Sequence, residues 1–264
     1  MPELTSMNNG LLWLGASILL AVLWTNLVPL IKALQTKPTS QEDETWHLPT
    51  WLLQVLRLIY YIGLPFAALL WGKDTIIARY IGLPGGTYTL ASPDQAWADW
   101  AQDAGWAAAI GMITWLLLAI GWWRQCRALA IIGEPVPSTP TQPWWAQLRE
   151  AMYHEVHWAF YRNVSIALWQ ESWGAWAGLV VVALEAALNP AWRAALQDPE
   201  QAIPPLTRAA IAIASTALFL QTQNLLLAII AHIAIAWGNQ AIVHLLAKRY
   251  NTTQSDHTEP ITVA

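Results

Sequence analysis

The chain has 264 residues, of which 56% are hydrophobic and only 11% charged, and a formal net charge of −4. An average soluble domain carries about 25% charged residues, and the apolar residues here gather into runs of about 20, enough to cross a hydrocarbon core about 30 Å thick. That excludes an ordinary water-soluble fold; the scattered Lys and Arg leave no electrostatic footprint for nucleic acid, and a lone Cys126 allows no intramolecular disulfide.

The first apolar run, residues 11–31, follows a polar stretch without Lys or Arg. A cleaved signal peptide has a basic start and a shorter apolar core, so this run is read as a retained spanning helix with Asn26 and Pro29 near its end. A polar linker, 32–48, carries Gln41, Glu42, Asp43 and Glu44. A second span, 49–71, opens at Pro49 and is expected to kink at Pro65. Between 72 and 103 a turn cluster, Ile81-Gly82-Leu83-Pro84-Gly85-Gly86, precedes an acidic stretch punctuated by Trp97 and Trp100, which suits a short helix lying on the membrane surface. The third span is 106–123. Residues 133–143, with four prolines, form a stiff connector between an N-terminal half, 1–132, and a C-terminal half, 144–250, which a polar tail, 251–264, follows.

The fourth span, 144–170, is unconventional, because Glu150, His154, Glu155, His157 and Arg162 can enter a bilayer only if they face other protein. The fifth, 173–188, holds Glu185 and ends at Asn189-Pro190, where proline naturally follows a helix end. The apolar run 206–246 is too long for one crossing at about 1.5 Å per residue, and the polar Gln221-Thr222-Gln223-Asn224 divides it into a sixth and a seventh span. The expected architecture is an all-α, polytopic transmembrane bundle of about seven spans plus a surface helix.

Of the nineteen tryptophans, many fall at the edges of these runs: Trp51, Trp71, Trp122, Trp123, Trp144, Trp145, Trp169, Trp173 and Trp192. Amphipathic indoles prefer the membrane interface, so these residues read as an aromatic belt. Basic residues set the sidedness. With the N-terminus outside and the C-terminus cytoplasmic, the inner segments hold Lys32, Lys37, Arg124, Arg127, Arg149, Arg193, Arg208, Lys248 and Arg249, while the outer ones hold only Lys73 and Arg79.

An ionisable residue inside the membrane is costly and points to a functional site. At about 100° per residue, Glu150, His154, His157 and Tyr161 share one arc of the fourth span, and Glu155 and Arg162, seven apart, share another as an expected ion pair. His232 and Asn239 lie on one face of the seventh span. The depths permit a cluster of Glu150, His154, His157, Glu185, His232 and Asn239, with imidazole and carboxylate donors suited to a divalent metal such as zinc. The string His154-Glu155-Val156-His157 is not the zinc-protease helix, whose histidines stand four apart. The same residues would serve equally as interhelical hydrogen-bond partners, each contributing about 0.6 to 2 kcal/mol.

A polar helix ending in Phe160-Tyr161-Arg162, then Thr222-Gln223-Asn224-Leu225 and Ile229-Ile230-Ala231-His232, resembles the CAAX-protease and bacteriocin-processing (CPBP, or Abi) membrane family over roughly residues 145–245. Arg162 matches the arginine of that family's Glu-Glu-x-x-x-Arg motif, and His232 matches the histidine of its last motif. His157 and Trp158 stand where the glutamate pair belongs, the Phe-x-x-x-His element is missing from the fifth span, and Ala236 replaces the expected Asn or Asp. The resemblance implies an intramembrane metal-dependent peptidase in degenerate form. Glu150 or Glu155 would polarise water beside Arg162, His154, His157, Glu185, His232 and Asn239 would supply metal ligands, and the substrate would be a membrane-associated peptide. Two other classes stand beside it. One is an accessory or assembly subunit of a larger membrane complex, favoured by small-residue faces such as Ala107-Ala108-Ala109 and Gly174 to Gly178. The other is a small-molecule transporter or sensor, for which no inverted repeat is visible.

Overall fold

The computed structural model describes residues 2–35, 49–71, 93–134, 136, 142–198 and 201–258, and among these there are helices and no strands. Helix α1 is Pro2–Gln35. Helix α2, Thr50–Leu58, runs through a π-helical turn, Ile59–Gly63, into α3, Leu64–Trp71. Then come α4 (Pro93–Ile132), α5 (Trp144–Trp169), α6 (Glu171–Leu188), α7 (Pro190–Gln197), α8 (Ile203–Thr222) and α9 (Leu225–Thr258).

Among the described residues, six stretches are long and apolar enough to cross a membrane: Asn9–Asn26, Trp51–Trp71, Trp97–Ile132, Glu171–Leu188, Ile203–Thr222 and Leu225–Asn251. Their large apolar side chains, including Leu12, Leu19, Leu117, Val180 and Leu245, stand exposed on the outside of the bundle. That arrangement suits lipid, where exposed apolar surface carries no penalty. The chain is an integral helical membrane protein.

Helix α5 is absent from those six because of its polar residues, and it occupies the centre. From Tyr153 to Ile166 every residue but Val156 is buried. Helices α1, α3, α6 and α9 and the π-helical turn pack around it, while α4 closes the far side against α8 and α9. The bundle is thus polar within and apolar without.

The closest packing is between α5 and α6, which are joined at Gln170 in a positive-φ conformation with φ 66° and ψ 171°. A Cβ at Gly174 would sit 2.3 Å from the Ile166 Cα, and one at Gly178 would sit 2.7 Å from the Arg162 Cα. Only glycine lets the two backbones approach this closely. The Gly174–Gly178 face expected to meet a partner is therefore occupied within the chain.

Proline positions explain several boundaries. Pro65 has no N–H to give the Tyr61 carbonyl, and the preceding turn widens so that Leu64 N–H reaches Ile59 O instead. The expected kink is accommodated as a π-turn, which presents both Tyr60 and Tyr61 to α5. Helix α8 ends on Gln223 in the left-handed region, and Asn224 Oδ1 accepts the Leu227 N–H at 3.2 Å to start α9, so the polar cluster does divide two helices.

Some sequence expectations need correction. The surface helix was expected across 72–103; residues 72–92 lie outside the described residues, and from Pro93 the chain is already in α4. That helix has 40 residues, about 60 Å at 1.5 Å per residue, so its first turns extend beyond the hydrocarbon. A short polar helix is present at α7, capped by Asn189 Oδ1, which accepts the Ala191 and Trp192 N–H groups at 3.0 and 3.4 Å. Trp122 is not a belt residue: it is buried, and its indole N–H donates to Asn239 Oδ1 at 2.5 Å. Asn251, in a glycosylation-like triplet, accepts the Val136 N–H at 3.0 Å and donates to the Val136 carbonyl at 3.2 Å, pinning part of the connector to α9.

Candidate functional site

Helical periodicity spreads the polar residues of α5 over adjoining faces, and neighbouring helices sort them into three centres. The first surrounds Glu155, which is 0% exposed. His232 Nδ1 on α9 donates to Oε1 at 2.9 Å, and Ser215 Oγ on α8 donates to Oε2 at 2.5 Å. Arg162 Nη1 in turn donates to Ser215 Oγ at 3.0 Å, and its Nη2 lies 3.9 Å from Glu155 Oε2. The Arg162 guanidinium also sits 5.1 Å from the Phe219 ring centroid. The expected Glu155–Arg162 pair is present, with Ser215 bridging it. A buried carboxylate with this many donors is satisfied on both oxygens.

Access to this centre is minimal. The adjoining cavity, whose walls include Ile110, Gly111, Ser215 and His232, measures about 10 Å³, space for about one water.

The second centre surrounds Glu185 on α6. His157 Nε2 donates to Oε2 at 3.1 Å, and the Tyr60 hydroxyl donates to Oε1 at 3.2 Å while lying 3.3 Å from His157 Nε2. The other ring nitrogen of His157, Nδ1, is buried with no hydrogen-bond partner among the described residues. Tyr161 joins this group to α1, its hydroxyl 3.0 Å from Ser17 Oγ. The Glu185 side chain keeps 19% exposure. It lines a cavity of about 280 Å³ between α1, α5, α6 and α8, along with His154, His157, Asn189 and Arg208. A second cavity of about 490 Å³, on the side of α2 and α3, shares Ala21, Thr25, Tyr61, Glu185 and Asn189 with the first.

The third centre lies one turn toward the start of α5. Arg57 clamps Glu150 through both terminal guanidinium nitrogens at 2.9 and 2.5 Å, and its guanidinium carbon lies 5.8 and 5.7 Å from the ring centroids of Tyr61 and Tyr153, which stack on each other 5.6 Å apart. His154 Nδ1 donates to the Glu150 carbonyl at 2.7 Å. Its ring stacks 6.0 Å from His232 and tilts 5.5 Å from Trp158, which itself stacks 5.6 Å from His232. This aromatic stack joins the third centre to the Glu155 centre through His232.

The candidate residues therefore meet in three separate groups: Glu150 with Arg57, Glu155 with Arg162 and His232, and His157 with Glu185. Asn239 stands apart, its Oδ1 receiving the Trp122 indole N–H and its Nδ2 donating to Thr207 Oγ1 at 2.8 Å. The imidazole and carboxylate donors divide among the three centres, His232 with Glu155, His157 with Glu185 and His154 beside Glu150. Among the described residues no three His, Cys, Asp or Glu side chains converge. The sequence reading missed Tyr60, Tyr61, Ser215 and Ser17. A tyrosine pair one turn before Pro65, inside an apolar span, was the available signal for the first two; one serine among alanines gave none for Ser215. No family profile, curated protein or solved structure matches the chain.

Proposed function

We propose that this is a CPBP-like integral membrane protein whose carboxylate–histidine centre serves as a structural lock, and which functions by binding a membrane-borne amphiphile beside α1. The observation that carries this proposal is the difference in access between two buried carboxylates. Glu155, Arg162 and His232, the residues nearest to the family pattern, do converge across α5 and α9, but around them there is space for about one water. A peptide substrate cannot reach a carboxylate so enclosed. Glu185 and His157 instead border a cavity near the size of small-molecule sites, with mostly apolar walls and a few polar groups.

Native mass spectrometry of protein purified in mild detergent tests this. A non-covalently bound amphiphile is expected, displaced when Ala183→Phe fills the cavity and retained when Glu155→Gln weakens the fold. A protein that instead carries zinc and cleaves a membrane peptide, with cleavage abolished by Glu155→Gln, would restore the protease reading and overturn this one.

A further inference from the structure

The amphiphile's chemistry can be read from the polar groups left over at the cavity. Arg208 is the sixth residue of α8, is exposed, and lines the cavity. It makes no hydrogen bond or ion pair among the described residues. The other arginines near the centre differ: Arg57 is taken by Glu150 and Arg162 by Ser215 and Glu155. Glu185, the carboxylate of the same cavity, is occupied by His157 and Tyr60.

His154 supplies the complementary half. It is 5% exposed, and its Nδ1 proton is committed to the Glu150 carbonyl. In neutral imidazole that leaves Nε2 as an acceptor, and no partner for it exists among the described residues. Most of the remaining walls, including Leu179, Val182, Ala212 and Ile213, are apolar, and Thr25 and Asn189 add two neutral polar side chains. Trp192, also in the lining, stands at the end of the bundle where α6 finishes and α8 begins, the depth that indoles favour and that lipid head groups occupy.

Resting on the ligand-binding role proposed above, we infer that this cavity takes a membrane phospholipid whose head group carries one negative charge and a hydroxyl donor. Its phosphate oxygens would meet Arg208, its hydroxyl would meet His154 Nε2, and its chain would lie against α1 and α6. Phosphatidylglycerol has this chemistry.

The test uses delipidated full-length protein reconstituted in nanodiscs of equal phosphatidylglycerol and phosphatidylcholine, with retained lipid counted by native mass spectrometry. The wild type should retain phosphatidylglycerol about tenfold over phosphatidylcholine, the ratio of one charge-assisted contact. Arg208→Gln should bring that ratio close to one with thermal stability unchanged, whereas Arg193→Gln, on α7 outside the cavity lining, should preserve it. Phosphatidylmethanol, with the same charge and no hydroxyl, should be retained less than phosphatidylglycerol. A preference that survives Arg208→Gln, or falls equally with Arg193→Gln, overturns the assignment to Arg208. Equal retention of phosphatidylmethanol overturns the role of His154, and competition by free glycerol phosphate at lipid-like concentration overturns the lipid as source. Equal retention of both lipids by the wild type defeats this inference alone; retention of neither defeats the ligand-binding proposal as well.

Discussion

Replacing Glu155 with glutamine removes one charge and almost no volume from the centre of the bundle. Its partner Arg162 is 2% exposed and cannot turn toward water, so the variant leaves a buried cation without its counter-ion. The new amide also places an N–H against donors, since both oxygens of Glu155 receive protons from His232 and Ser215. Breaking a buried pair by removing one partner costs about 3 to 5 kcal/mol. At about 2 to 4 °C per kcal/mol for a chain of this size, the melting temperature should fall by about 10 °C. Thermal unfolding in detergent, followed by tryptophan fluorescence, gives the readout, with Trp158 stacked on His232 as a local reporter. Removing both charges, in Glu155→Leu with Arg162→Met, should recover at least half of the loss, because the cost lies in the unpaired charge more than in the missing contact. A Glu155→Gln protein that melts within about 2 °C of wild type would refute the structural lock.

The α5–α6 contact predicts that Gly178→Leu abolishes folded protein, since even a Cβ would fall 2.7 Å from the Arg162 Cα; yield of monodisperse material after detergent extraction is the measure. Gln170, at φ 66° and ψ 171°, occupies backbone space that favours glycine. Gln170→Gly should therefore raise stability by about 1 kcal/mol in reversible denaturant titration, and a loss of stability there would mean that the side chain is more important than the strain.

Most of the fold was legible because hydrocarbon thickness imposes a length on apolar runs. The division at Gln221–Asn224 and the helix end at Asn189-Pro190 followed from local polarity and proline chemistry, and helical periodicity anticipated the Glu155–Arg162 pair. What a single helix's periodicity cannot supply is the angle at which its neighbours approach. Asn239 shares a face of α9 with His232, seven residues away, yet it meets Trp122 and Thr207 because α4 and α8 close over that end of the helix. Likewise His157 and His232 were expected together, and their rings pack against different partners, His157 against Tyr60, Tyr61 and Tyr161 and His232 against His154 and Trp158. Tyr60 reaches Glu185 through a π-helical turn, which adds a residue to the local register in a way apolar patterning does not reveal.

The central claim is that one buried carboxylate is sealed and the other open to a ligand. Cys126 is the only cysteine, so Cys126→Ser provides a blank background. In that background Glu185→Cys and Ser215→Cys place single thiols at the two centres. With a small, neutral, membrane-permeant thiol reagent, and labelling of the denatured protein as the reference, the thiol at 185 should be modified while the thiol at 215 stays protected until the protein unfolds. Equal labelling of both thiols in folded protein would contradict the account.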